Sequence, residues 1–276
     1  VLYQSDDGPF RVQNVGPTTM TPSVLSGNGT LTSSVAFFRS TQVGALMAAT
    51  STGQTVAVTV GAVNDVTSSI RVTGVTTSRA FTIVIAALSG TGDTIVLQRS
   101  FDNALWVDTG TSYVADVTTS FNDGLDNQIV YYRLKCSVYA AGNPTLRLTI
   151  ATGSIRGIAR ITAFTSSTVV SIEVLTSFGA TTATDDWEEG QWSDYRGWPS
   201  AVALYEGRLW WPGKDAIVGS VSDAFNSFNP ETTGDSGPIN RTIGGAQVDV
   251  VNWILGLQRL VLGGGGAEYS CKSSSL

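Results

Sequence analysis

Between Gly197 and Gly213 the chain reads Gly-Trp-Pro-Ser-Ala-Val-Ala-Leu-Tyr-Glu-Gly-Arg-Leu-Trp-Trp-Pro-Gly. Alternating apolar residues break at Glu206-Gly207, resume at Leu209-Trp210-Trp211 and stop at Pro212-Gly213. That pattern predicts a tight β-hairpin with aromatic strands. Successive side chains of a strand point to opposite faces, so Trp210 and Trp211 cannot share one core. The same period of two runs through Thr55-Val56-Ala57-Val58-Thr59-Val60 and through Ser69-Ile70-Arg71-Val72-Thr73. No amphipathic helix of useful length appears in the first 80 residues. Only 14% of residues are charged, and Thr, Val, Ser, Ala and Gly take their place. Thr and Val favour pleated, half-buried surfaces, and Gly serves turns. The expected fold is therefore all-β and multi-domain.

A chain of 276 residues can form one large or a few small domains, with a core that needs no disulfide or metal. Residues 1–80 are expected to form a β-rich platform, completed by 153–190. Strands at Phe81 to Leu88, Thr94 to Ser100, Tyr131 to Tyr139 and Leu146 to Ala151, grouped about a central Trp106, suggest an immunoglobulin-like β-sandwich over 81–152. Gly157 to Thr162 and Thr168 to Leu175 form a further strand pair, with Ile172 and Val174 opposite Glu173. Residues 191–276 look like the start of a propeller-like β domain. Val248 to Leu262 suits a helix or a strand pair broken at Gly256, and its Val and Ile content favours strands. Gly263 to Gly266 is a turn before a strand at 267–270. The chain begins at Val1 rather than Met and stops at Ser275-Leu276, so a longer protein continuing past Leu276 is expected.

Charge and composition remove several functions. The net charge is −6, whereas a protein that grips DNA is normally basic, because phosphate neutralisation supplies most non-specific affinity. An acidic wall past which DNA slides is compatible with that charge. There is no histidine, which removes Ser-His-Asp and Cys-His nucleophiles and every His-containing zinc site. Cys136 and Cys271 lie far apart without a CxxC partner, and two buried free thiols are favoured over a disulfide. No apolar run approaches the roughly 20 residues of a membrane span, and no secretory signal is visible.

The remaining chemistry-bearing residues each have a sharp and a bland reading. Asp185, Asp186, Glu188 and Glu189 beside Trp187 could form a glycosidase site, which uses two carboxylates and an aromatic platform. A solvated acidic loop with Trp187 folded onto the core is favoured. Trp192, Trp198, Trp210 and Trp211 could stack on sugars, but filling a hairpin core or a subunit interface is favoured. Phe225 and Trp253 join them as candidate interface or packing residues. Asp223, Asp235 and Asp249 could hold calcium, but their spacing fits no EF-hand loop and solvated turn acids are favoured. Arg99, Arg133, Arg147, Arg156 and Arg160 could face DNA, but contacts with acidic loops or neighbouring subunits are favoured. No catalytic residue, cofactor or metal is expected.

A set of short motifs runs in order along the chain. They are Asp7-Gly8-Pro9-Phe10, Asn14, Thr21-Pro22-Ser23, Gly29 to Ser33, Phe38 and Val43-Gly44-Ala45-Leu46. Then come Gly157 to Thr162, Trp187, Gly190-Gln191-Trp192-Ser193, Gly197-Trp198-Pro199 and Ser220 to Phe225. Phe228, Gly234-Asp235, Val251-Asn252-Trp253 and Gly266 to Tyr269 complete the series. Together with the hairpin they resemble the nozzle or tail tubular family of short-tailed phages. A histidine expected just before Val43 is Gln42 here. Leu97 to Asp102, followed by Trp106, resembles an immunoglobulin-like module of phage structural proteins.

The resemblance implies a virion structural protein of the phage tail, not an enzyme. It implies a homo-oligomeric ring of six subunits at the distal nozzle, enclosing and gating the DNA-ejection channel. A portal or adaptor protein would lie above and tail fibres would dock at the side. DNA would pass without sequence-specific binding. The alternative is a tail component that binds or cleaves host glycans. A weaker third reading is a non-viral extracellular adhesin.

Overall fold

The structure, a computed structural model, describes residues 5–213, 216–243 and 250–271. It is all-β, built of several antiparallel sheets. Besides strands, the described residues form three short 3-10 turns. The chain divides into two compact units: residues 1–49, 157–177 and 181–276, and residues 50–156 with 178–180. Two long strands, Leu46–Thr59 and Thr145–Ser166, contribute residues to both.

The unit at 50–156 is a β-sandwich. One sheet contains Phe81–Ala86 between Val117–Phe121 and residues 145–149. The other runs Ile70–Val72, Val130–Val138, Thr94–Ser100, Val107–Tyr113. Alternation does what the sequence requires. Phe81, Ile83 and Ile85 face inward, and they meet Ile95, Leu97, Tyr132 and Leu134 from the second sheet. The two central pairings of an immunoglobulin domain are present, but the edge strands are exchanged. The last strand lies beside Phe81–Ala86, where that fold would place it beside Val130–Val138. Ile70–Val72 fills the vacated edge. This unit is therefore wider than the 81–152 module read from the sequence, because strands from 50–72 belong to both sheets.

Trp106 is not at its centre. The interior there is filled by Phe81, Phe121 and Tyr132, with ring centroids 4.9–5.8 Å apart. Trp106 instead lies on the outer face, 4.1 Å below the Arg133 guanidinium. At the edge of the core, Arg79 is wholly buried and donates from Nε and Nη2 to the two carboxylate oxygens of Asp123 at 2.6 and 2.7 Å. Its Nη1 donates to the Gln128 carbonyl at 2.8 Å, and the Tyr132 hydroxyl donates to Asp123 at 2.7 Å. Such a buried charge is tolerable only because every side of the pair is hydrogen-bonded.

In the other unit, the first sheet orders Met20–Pro22, Gly27–Ser33, Val169–Thr176, residues 157–166, residues 46–49 and Trp187–Glu189. Segments from both ends of the sequence thus share one sheet over buried Met20, Leu31, Met47, Ile161 and Ile172. Ile158 and Ala159 are both buried although adjacent, because Ile158 packs in a separate cluster with Leu46 and Ala48. The register also shifts between them. Ile172 is buried and Glu173 exposed, as their alternation requires.

Two small meanders complete this unit. One contains Ala203–Tyr205, Arg208–Pro212, Ala216–Gly219 and Ile239–Thr242; the other contains Trp253–Gly256, Leu260–Gly263 and Glu268–Cys271. Val251 to Leu262 therefore forms strands, while Val248 and Asp249 lie outside the described residues. Tyr205, Trp210, Ile217, Ile254, Leu260 and Leu262 form their shared core. The hairpin turn has φ of 46° at Glu206 and 69° at Gly207, the two positive values of a type I′ turn. Asn tolerates the first position better than Glu. Glu206→Asn is expected to raise stability by about 0.5–1 kcal/mol, read as a higher urea midpoint.

Gly219 lies flat against the buried Trp210 ring; a Cβ there would come within 3.0 Å of it. The ring is 3% exposed and would have to shift to admit the Cβ, so Gly219→Ala is expected to cost about 1–3 kcal/mol. Thermal denaturation followed by tryptophan fluorescence would measure that loss.

Candidate functional site

The strand Trp187–Glu189 pairs with residues 47–49 and aims Trp187 and Glu189 inward. Trp187 packs edge-on against Phe37, with centroids 4.9 Å apart, and its Nε1 donates to the Thr18 carbonyl at 2.8 Å. Glu189 is almost fully buried. It accepts a hydrogen bond from Gln42 Nε2 at 2.7 Å, one from Arg196 Nε at 2.9 Å and a further bond from Arg196 Nη2. The hydrogen bond to Glu189 raises the Arg196 pKa, and burial opposes it. Gln42 has no solvent exposure, and its Oε1 accepts from the Arg39 backbone at 2.7 Å. Where the resemblance anticipated histidine, the amide supplies a donor and an acceptor together. The Arg39 and Arg196 guanidiniums lie 4.5 and 4.6 Å from the Tyr195 ring centre.

Past Glu189 the chain enters an aromatic cluster. Trp192 meets Trp211 and Phe228 edge-on, each with centroids 5.7 Å apart. Trp211 is on the opposite strand face from Trp210, whose Nε1 donates to the Tyr205 carbonyl at 3.0 Å inside the core. Phe228 is held by Asp7. One Asp7 oxygen accepts the Phe228 backbone N–H at 2.8 Å, and the other accepts the Ser227 hydroxyl at 2.6 Å. Asn240 donates to the Phe10 carbonyl at 3.1 Å.

Beside this cluster is a cleft of about 540 Å³ whose walls include Arg11, Trp192, Tyr195, Arg196 and Trp198. Trp198 is 50% exposed and is steered by a bond from its Nε1 to Asp194 at 2.8 Å. No carboxylate lines the cleft among the described residues. Its chemistry is that of a stacking surface with guanidinium donors.

The predicted residues thus part company. Trp192 and Trp198 share the cleft, Trp192 and Trp211 pack together, and Trp210 is core. Phe225 and Trp253 are 45% and 40% exposed and line no part of that cleft. The acidic group does not converge. Asp186 accepts from Gln13 at 2.7 Å, and Glu189 is enclosed by Gln42 and Arg196. The sequence reading missed the Gln42–Glu189–Arg196 network, although the alternation of Trp187 with Glu189 places both on one face. Among the described residues, no three His, Cys, Asp or Glu side chains are grouped to hold a metal. Cys136 is buried and Cys271 half-buried, and both are free thiols. No helix among the described residues is long and apolar enough to cross a membrane.

No protein-family model matches the chain, and no curated protein matches it by sequence.

Proposed function

We propose that this chain is a structural subunit of a phage tail, forming the distal nozzle ring that encloses the DNA-ejection channel and docks tail fibres. The observation that carries the reading is the Asp7 clasp. Asp7 to Phe10 and Phe228 belong to the ordered motif series and lie more than two hundred residues apart, and Asp7 joins them by holding the Phe228 backbone and its neighbour Ser227. Motifs that position backbone in this way build a scaffold. The meander of four strands at 203–242 has the form of one propeller blade, which suits the propeller-like domain of the resemblance. Exposed Leu204, Leu255 and Leu257 offer apolar surface for a neighbouring subunit.

One observation favours the glycan reading. The cleft beside Trp198 combines aromatic walls with arginine donors, the groups that stack on and hydrogen-bond a sugar. Immunogold electron microscopy with an antibody to residues 195–276 tests the two readings on the source particles. Label at the tail tip supports the nozzle. Label on radiating fibres favours host-glycan recognition, and no label on intact, accessible particles overturns both.

A further inference from the structure

The second unit, residues 50–156, has as many acidic as basic side chains, so the chain's net −6 falls on the first unit. Within the second unit the charges are partly segregated. Three of its seven aspartates serve loops: Asp65 accepts the Gly61 and Ala62 backbone N–H groups, Asp102 those of Ala104 and Leu105, and Asp116 those of Leu88 and Ser89. Asp123 neutralises Arg79 in the core edge. Three of the unit's seven cations share one outer sheet face, on which Asp108 also lies. Along Val130–Val138, Tyr132 and Leu134 are buried, so Tyr131, Arg133 and Lys135 share the outer side at a spacing of roughly 7 Å. Arg71 pairs with Tyr131 in the adjoining strand and joins them.

Arg133 is pre-organised on this face. Its guanidinium rests on Trp106, and its Nε donates to Gln98 Oε1 at 2.9 Å. Gln98 Nε2 is itself anchored on Asp108 at 2.7 Å. Neither Nη1 nor Nη2 of Arg133 has a hydrogen-bond partner among the described residues. A planar fork held by its stem and by an aromatic floor is suited to a carboxylate. In the loop that carries Trp106, Phe101 and Leu105 are 56% and 77% exposed. An Arg–Trp centre with an apolar flank has the composition of a protein-binding hot spot.

We propose that this face binds the acidic unit of a second copy of the chain, in a head-to-tail contact. Charge complementarity selects the occupant, because the first unit carries all of the net negative charge. It presents exposed Glu206, Asp223 and Asp235 on connected turns, together with exposed Phe225. A contact between unlike surfaces repeats from subunit to subunit and closes into a ring when the rotation permits. The inference rests on the ring reading and names the surfaces that would make it.

Sedimentation velocity on the full chain tests it at about 0.1 M and about 1 M salt, between which the screening length falls from about 10 Å to about 3 Å. The wild-type oligomer should dissociate as salt rises. Arg133→Glu with Lys135→Glu should weaken assembly at least tenfold while leaving the circular dichroism and melting curve unchanged. Glu206→Lys, Asp223→Lys and Asp235→Lys together should do the same, and a chain carrying both reversed sets should assemble again. Rings indifferent to the face reversal would overturn this inference and leave the ring reading standing. Loss on face reversal without rescue by the reversed turns would overturn the second copy as occupant. A wild-type chain that stays monomeric throughout would overturn both.

Discussion

Asp123→Asn is expected to destabilise the β-sandwich unit by about 3–5 kcal/mol, the cost of leaving a buried charge without its partner. The substitution keeps the shape of the side chain but leaves the Arg79 guanidinium, with no solvent exposure, facing a neutral amide. Hydrogen–deuterium exchange of peptides from 81–86 and 130–138 would read the loss within this unit alone. The wild-type pair also has a pH signature. Burial by itself would raise the Asp123 pKa, but hydrogen bonds from Arg79, the Leu125 backbone and Tyr132 outweigh it and hold the group at about 2. A carboxyl whose pKa is lower folded than unfolded stabilises the fold above its unfolded value, about 4. That contribution is therefore intact at neutral pH and disappears as pH falls from about 4 through 2. Asp102, held at about 2 by the backbone N–H groups of Leu105 and Ala104, acts in the same direction. Acid unfolding should begin in this window, and the Asp123→Asn variant should show a flatter profile there.

What the sequence disclosed, and what it hid, follows from the range of the interactions. The hairpin at Glu206-Gly207 was legible because its turn and alternation are local. The opposed faces of Trp210 and Trp211 follow from the same period of two. The exchanged edges of the sandwich were not legible. A strand at 70–72 carries the same alternation whether it pairs with 130–138 or with another strand, and only tertiary packing decides. Trp106 was misplaced because size and apolarity argue for a core, whereas three other aromatic rings already fill it. Glu189 was read with its acidic neighbours, yet of the partners that make its burial tolerable Gln42 lies 147 residues away and Arg196 is brought back only by the intervening turn. Buried polar networks join residues distant in sequence, and composition cannot announce them.

Trp210 and Trp198, at opposite extremes of exposure, separate packing from recognition. Trp210→Ala is expected to cost about 3–5 kcal/mol, because the ring is nearly fully buried, lies against Gly219 and bonds the Tyr205 carbonyl. Trp198→Ala, on a side chain 50% exposed, is expected to change stability by less than about 0.5 kcal/mol. Chemical denaturation of both variants checks the contrast. With Trp198 half exposed on the cleft wall, its role is to be sought in what reaches the cleft from outside. A Trp198→Ala chain that still assembles but no longer retains oligosaccharides on a glycan array would place recognition at the cleft. A chain that folds but fails to assemble would make the same indole a subunit contact, because the fold itself does not require it.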